Sequence, residues 1–212
     1  MKRWEFPLQE AETILVATFN AGKLKEFQSL MSATSFCVVG LDTIAGLQPC
    51  CEDGDTFEAN TRKKAEYYSR FTKTLTVADD SGLEVDALGG QPGVFSARFV
   101  VETATDEQRY REVLARMQDI PEPLRSARFI CILALARQGK VLQIFNGVVE
   151  GNIAWQPRGT GGFGYDSIFL IPELNKTMAE LSIEQKEQVS HRGKALRKLV
   201  NFLSNSEWKL SS

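Results

Sequence analysis

The stretch ILVATFNAGKLKEFQSLMSATSFCVVG, residues 14–40, decides the fold class. Residues 14–18 are a short β-type run, and Asn20-Ala21-Gly22 reads as a tight turn. Leu24, Phe27, Leu30 and Met31 then recur on one face of a helix, and residues 35–40 form a second β-type run. Strand, loop, helix, strand is the opening unit of an α/β fold. Further on, residues 41–54 read as a loop and residues 56–72 as a helix, while residues 75–78 form a strand that runs into an acidic turn, Asp79-Asp80-Ser81-Gly82. Thr105 opens another helix through a capping box with Gln108, backed by Tyr110, Val113, Leu114 and Met117. Residues 128–136 and 141–149 flank Gln138-Gly139-Lys140 as a β-hairpin. A glycine-rich loop, residues 159–164, leads into the apolar run 168–171. The last helix begins after Ser190, with Ala195, Leu196, Leu199, Val200, Phe202 and Leu203 as its buried stripe.

No composition break marks a linker, so the 212 residues read as one two-lobed domain, with residues 1–12 as an N-terminal extension. Hydrophobic residues are 43% and charged residues 25%, which is ordinary globular composition. A net charge of −2 gives no basic field for a long nucleic-acid backbone, so an anionic ligand needs a local cationic cluster or a metal. Four cysteines without a C-x-x-C pair fit a reducing compartment. The first eleven residues lack a signal-peptide core, and the longest apolar run, 129–136, is far short of the roughly 20 residues that span a bilayer. These features predict a soluble, cytoplasmic chain.

Two basic residues stand where a helix should be apolar. On a wheel of about 100° per residue, Lys64 falls within the stripe of Phe57, Thr61, Ala65 and Tyr68. Arg192 falls within the stripe of Ala195, Leu196, Leu199 and Leu203. Either could carry its charge past the core to water, but two such cases point to an anion between them. Carboxylates supply the opposite sign: Asp79 and Asp80 directly follow a β run, which places them at the carboxyl end of a strand, where α/β sheets bind ligands. Hard oxygen ligands there suit Mg2+, and Glu52 and Asp53, in the loop before the Lys64 helix, could complete the site. Gly159-Thr-Gly161-Gly-Phe-Gly164 matches G-x-G-x-x-G, yet it lies late and precedes a β-like run, so it is not a dinucleotide fingerprint. It suits a loop that brings backbone close to a ligand, with Phe163 free to stack on a base. Gly22-Lys23 lacks the rest of a Walker A loop, though the turn can still offer amides and a lysine to phosphate. His191 is the only histidine and has no G-x-S-x-G elbow beside it, which argues against nucleophilic hydrolase chemistry.

Five ordered blocks, TFNAGKLKEF (18–27), TFEANTRKKA (56–65), ADDSGLEVDALGGQPGVFSARF (78–99), GTGGFGYDSIF (159–169) and TMAELSIEQKEQVSHRGKAL (177–196), resemble the signature blocks of the inosine/xanthosine triphosphate pyrophosphatase family. The resemblance implies an α/β fold of two lobes around a long central mixed β-sheet with flanking helices. It also implies a nucleotide cleft between the lobes and a homodimer. On it, Thr18, Asn20, Lys23, Lys64 and Asn60 bind the triphosphate, while Glu52 and Asp80 hold magnesium. Asp80 is also the proton acceptor for the attacking water, and Ser81 touches substrate. Phe163, Gly164, Tyr165, Asp166, Lys186, His191 and Arg192 form the base pocket. The implied reaction converts ITP, dITP or XTP to the monophosphate and pyrophosphate. A pyrophosphatase for modified pyrimidine nucleotides and a non-catalytic nucleotide sensor are the rival readings. Four positions depart from the pattern: Phe19 stands for Gly, Ala59 for Glu or Gly, Ser167 for Pro and Glu187 for Asn.

Overall fold

The computed structural model describes residues 12–101 and 103–205, so the N-terminal extension lies, but for Glu12, outside the described residues. The elements follow as β1 (Thr13–Ala17), α1 (Ala21–Met31), β2 (Cys37–Gly40), α2 (Phe57–Tyr68), β3 (Leu75–Val85), α3 (Asp106–Arg116), β4 (Ser126–Arg137), β5 (Lys140–Ile153), β6 (Phe169–Ile171), β7 (Lys176–Thr177), α4 (Ile183–Val189) and α5 (His191–Ser204). Among the described residues the strands make one seven-stranded sheet, ordered β2-β1-β3-β4-β5-β6-β7. Its first three strands are parallel and the rest antiparallel, which makes it the mixed sheet expected.

Capping chemistry sets the helix starts. Side chains of Asn20, Thr56 and Ser190 accept from the amides of Lys23, Ala59 and Gly193, and the Thr105–Gln108 capping box is complete. The expected turn at residues 20–22 is thus shorter than read: Ala21 and Gly22 already belong to α1, which puts Lys23 in its first turn. α2 ends at Tyr68, and residues 69–71 continue as a 3₁₀ turn.

Side chains alternate across the sheet with period two. Ile14, Val16, Val77, Leu133 and Leu135 face α1 and α5, where Phe27, Met31, Ala195, Leu196 and Leu199 complete a core. Leu15, Ala17, Ala78, Ala134 and Ala136 face the other way, toward Ala65 and Tyr68 of α2. A further core lies at the far end of β3, β4 and β5, where Leu83, Phe129, Val149 and Ile153 meet Val113 and Met117 behind α3. Each fully buried Leu, Ile, Phe or Met in these cores contributes about 1.5–3 kcal/mol. Helix α5 can lie flush on β5 only because Gly147 has no side chain: a Cβ there would sit 2.0 Å from the His191 carbonyl oxygen. That close approach aims the first turn of α5 at the middle of the sheet.

The acidic tetrad is not a turn. β3 continues through it for 11 residues, with Asp79 opposite Leu133, Asp80 opposite Ile132 and pairing to β4 maintained as far as Val85. Asp-Asp-Ser-Gly carries turn residues, but a long antiparallel partner overrides that local preference. The carboxylates therefore lie mid-strand in β3, at the carboxyl end of its parallel neighbour β1, which stops at Ala17 opposite Ala78.

Candidate active site

Where β1 stops and β3 runs on, the sheet has a gap. It opens into a cleft of about 270 Å³ beside residues 79–82. The residue after β1, Thr18, accepts from Asn20 N at 3.1 Å. Among the described non-glycine residues only Val100, Gln138 and Asn175 have positive φ, so Phe19 occupies its position with ordinary backbone geometry. Its exposed ring leans edge-on toward Tyr68, with centroids 6.3 Å apart.

Period two sends the adjacent carboxylates to opposite faces of the sheet. Asp79 points toward α5, where its oxygens receive Lys23 Nζ, Arg192 Nε at 3.0 Å, the Ser81 hydroxyl at 2.8 Å and the Cys131 thiol at 3.2 Å. Burial pushes its carboxyl up, but Arg192 and Lys23 outweigh that and hold it well below the usual carboxylate range. Both of its oxygens are engaged. Asp80 points toward α2. Lys64 Nζ lies 3.4 Å from its Oδ1 and 3.3 Å from Glu52 Oε1, whereas the buried Oδ2 has no hydrogen-bond partner. Burial raises its carboxyl pKa against the opposing pull of Lys64 and Lys23. The two carboxylates thus differ in kind: one is locked and ionised, the other buried with a free oxygen.

Lys64 and Arg192 are buried as their helical wheels require. Their partners are separate protein carboxylates, Asp80 and Glu52 for Lys64 and Asp79 and Glu26 for Arg192, and not one anion held between the two. Arg192 also donates to Glu26 at 2.5 Å and to Ser81 Oγ at 2.6 Å. Lys186 Nζ bridges Asp166 at 2.6 Å and Glu26 at 2.7 Å. Phe163 lies over this cluster, its ring centroid 5.0 Å from Lys186 Nζ and 5.6 Å from the Arg192 guanidinium carbon. Burial raises the Asp166 carboxyl despite Lys186, whereas at Glu26 the effect of burial is overcome by Arg192 and Lys186, which hold its carboxyl low.

Every residue assigned to the site from sequence lines this cleft except Asn60 and Asp53, whose exposed carboxylate turns away to Lys63 at 2.5 Å. Asn60 is fully buried, accepts from Gly54 N at 2.8 Å and donates to Gly54 O, bracing the loop that carries Glu52. Arg98 supports the same loop by donating to Glu52 O at 3.0 Å. Sequence reading missed Glu26, whose place on α1 gave no sign of two cations across the cleft. It also missed Asp106 and Arg109, cleft-lining residues of a helix whose start a capping box already explains.

His191 does not cap α5; Ser190 does. Its ring stacks on Phe129 at 4.7 Å and 17°, and its Nδ1 is buried without a partner. Burial, joined by the Arg192 charge and opposed by Asp79, holds the imidazole well below its usual 6.5. The unfolded chain takes up this proton as pH falls through 6.5 while the folded chain does not. Stability therefore declines on acidification, from this group by up to about 1.4 kcal/mol per pH unit, until the folded-state pKa is reached. His191→Gln removes the proton, so urea unfolding from about pH 7.5 to 5.5 is expected to show a shallower decline in the variant. Parallel curves would show that His191 takes up its proton as readily in the fold as in the unfolded chain, and that its burial does not hold it neutral.

The fold is an open α/β sheet whose cleft carries the Phe163 ring over a charged cluster on one side and Lys23, Lys64 and Asp80 on the other. The chain belongs to the Ham1 family, which residues 14–202 match. It is 45% identical over 186 residues to the dITP/XTP pyrophosphatase of Shouchella clausii, covering 88% of this chain and 93% of that one. It is 46% identical over 186 residues to the dITP/XTP pyrophosphatase of Geobacillus kaustophilus, covering 88% and 91%. The solved structure of the Staphylococcus aureus Ham1 protein superposes with a TM-score of 0.81 at 37% identity, over 92% of this chain and all of that one. A HAM1 protein from Coxiella burnetii gives 0.81 at 38% identity, over 92% and 99%.

Proposed function

We propose that this chain hydrolyses the non-standard purine nucleoside triphosphates ITP, dITP and XTP to the monophosphate and pyrophosphate, and so cleanses the nucleotide pool. The observation that carries the reading is Asp80. It is a buried carboxylate of raised pKa, with one free oxygen beside Lys64 and Glu52, in a cleft whose other end is an aromatic ring over a charged cluster. Relatives at 45% and 46% identity are named dITP/XTP pyrophosphatases, which supports the substrate class.

Asp80 and Glu52 fit a magnesium ion. Their oxygens converge within 3.4 Å of one ammonium, and the unpartnered Asp80 Oδ2 lacks the contact that a cation would supply. Among the described residues no third metal-type side chain joins them. A two-carboxylate set suits Mg2+, which fills its sphere with water and phosphate oxygens. When bound, the ion supplies charge neutralisation at the phosphates. Asp80 would accept the proton of the water attacking the α-phosphorus, through the buried oxygen that no protein group engages. Lys23 and Lys64 would stabilise charge on the departing pyrophosphate, with Thr18 and Asn20 shaping the backbone around it. At the other end Phe163 would stack on the base. Arg192 uses three of its five N–H donors on Glu26, Asp79 and Ser81, which leaves two for a 6-keto oxygen. Lys186, Asp166, Tyr165, Gly164 and His191 complete that pocket, and Ser81 links the two ends. The acting unit in this reading is a two-lobed domain, a homodimer in the cytoplasm. No helix among the described residues is long and apolar enough to cross a membrane.

The test is pyrophosphate release with Mg2+ over ITP, dITP, XTP, GTP, ATP and dTTP. Release from the first three should exceed that from ATP by about a hundredfold in kcat/KM, with one monophosphate per pyrophosphate and loss of turnover in EDTA. Faster turnover of dTTP would favour a pyrimidine enzyme. Tight binding without release would favour a sensor, and orthophosphate as product would remove the α–β cut.

A further inference from the structure

Two consecutive amides of the loop carrying Phe163 are held by two carboxylates from distant parts of the chain. Phe163 N donates to Asp166 Oδ2 at 2.9 Å, and Gly164 N donates to Asp106 Oδ2 at 2.7 Å. Each carboxylate has its own cation: Lys186 lies 2.6 Å from Asp166, and Arg109 Nη2 lies 2.9 Å from Asp106 Oδ1. Asp166 is local to the loop and belongs to the pocket already described. Asp106 comes from α3, 58 residues earlier, and nothing above gives it a role.

Asp106 is the first residue of α3, where an acidic side chain is ordinarily explained by the helix dipole. That explanation is incomplete here. The helix start is already capped by Thr105 and Gln108, and both Asp106 oxygens are directed elsewhere, to Arg109 and Gly164. Arg109 is anchored in turn through its Nη1 to the Ala104 carbonyl, and α3 is fixed to the far core by Val113. A rigid element thus reaches into the cleft and grips one amide. Gly164 has φ +64°, a left-handed backbone that leaves its α-carbon facing open space. The other backbone ties of this segment, Phe163 N to Asp166, Asp166 N to Phe163 O at 3.2 Å and Gly161 N to Ala179 O at 3.0 Å, lie within the loop or on its own flank, so Asp106 is the tie that connects it to α3.

We infer that Asp106, braced by Arg109, is a positioning residue for base recognition: its hydrogen bond to Gly164 N holds the Phe163 ring over Lys186 and Arg192. This rests on the function proposed above, with Phe163 as the stacking surface. Removing the bond should loosen the ring while leaving the phosphate end of the cleft intact.

Asp106→Ala is expected to raise KM for ITP about tenfold with kcat within about threefold, since a mobile platform weakens binding of the base. Inhibition by inorganic tripolyphosphate, which has no base, should change by less than about twofold. Asp106→Asn keeps an acceptor oxygen and should restore KM to within about threefold of the parent value. Arg109→Gln, which leaves Asp106 in place but unbraced, should give a smaller rise of the same kind and serves if the alanine variant does not fold. Exchange of the Gly164 amide, followed by NMR without nucleotide, should quicken at least about tenfold in Asp106→Ala or, by less, in Arg109→Gln. That measurement decides the contact even if the parent protein proves inactive on ITP, an outcome that would overturn the proposed function instead. Unchanged exchange, an equal loss of tripolyphosphate binding, or an asparagine variant as impaired as alanine would each overturn the positioning role.

Discussion

Asp80→Asn should lower turnover of ITP by at least about a hundredfold while leaving the thermal midpoint equal or higher. Both halves follow from the environment of this side chain. Its Oδ1 has one weak partner, Lys64 at 3.4 Å, and its Oδ2 has none. Burial already opposes its charge. Replacing it by a neutral side chain of the same shape removes a desolvated anion and leaves Lys64 paired to Glu52 at 3.3 Å. Stability thus has little to lose. Activity loses the only carboxylate oxygen in the cleft that is both buried and unpartnered among the described residues, and with it the proton acceptor and one side of the magnesium site. Steady-state turnover at saturating Mg2+ and calorimetry on the same preparation check the pair of outcomes. Near-parental turnover would sink the assignment. A large loss of stability with activity intact would make Asp80 a structural anion.

The alternation of strand and helix is legible because each segment carries a local signal: a short continuous apolar run in residues 14–17, helical spacing of Phe27 and Met31, a capping box at Thr105. What misled was also local. Residues 79–82 have turn composition, and only the pairing with β4, some 50 residues later, makes them strand. The burial of Lys64 and Arg192 is legible because a helical wheel compares a residue with its own helix. Their counter-charges, Asp80, Asp79 and Glu26, come from other elements and leave no trace on the wheel. Glu26 was invisible for the same reason. Helix α4, at seven residues, is too short to show a period. Asn60 shows the converse: a motif identifies the residue, yet the fold directs its side chain to a loop backbone and not to the cleft.

The second large effect belongs to Arg192, and the structure changes how it must be tested. If its two spare N–H donors meet a 6-keto oxygen, they would face the 6-amino group of adenine donor to donor, with about 1–3 kcal/mol lost per unpaired buried group. Removing the guanidinium should therefore shrink the ratio of ITP to ATP specificity constants about ten- to a hundredfold. Alanine alone is a poor probe of this. Arg192 is 2% exposed and pairs with two carboxylates, so Arg192→Ala leaves Asp79 and Glu26 short of a counter-charge at a cost of about 3–5 kcal/mol. Lysine separates the two roles. Its ammonium can reach one carboxylate and return part of the stability, but a point charge cannot span Asp79, Glu26 and Ser81 while still presenting a planar pair of donors to the base. Arg192→Lys is thus expected to melt between the parent and Arg192→Ala while matching alanine in its loss of selectivity. Equal losses for ITP and ATP in the lysine variant would place the guanidinium on the triphosphate, which both substrates share. A lysine variant with full selectivity would show that Arg192 serves the fold through Asp79 and leaves the choice of base to Lys186.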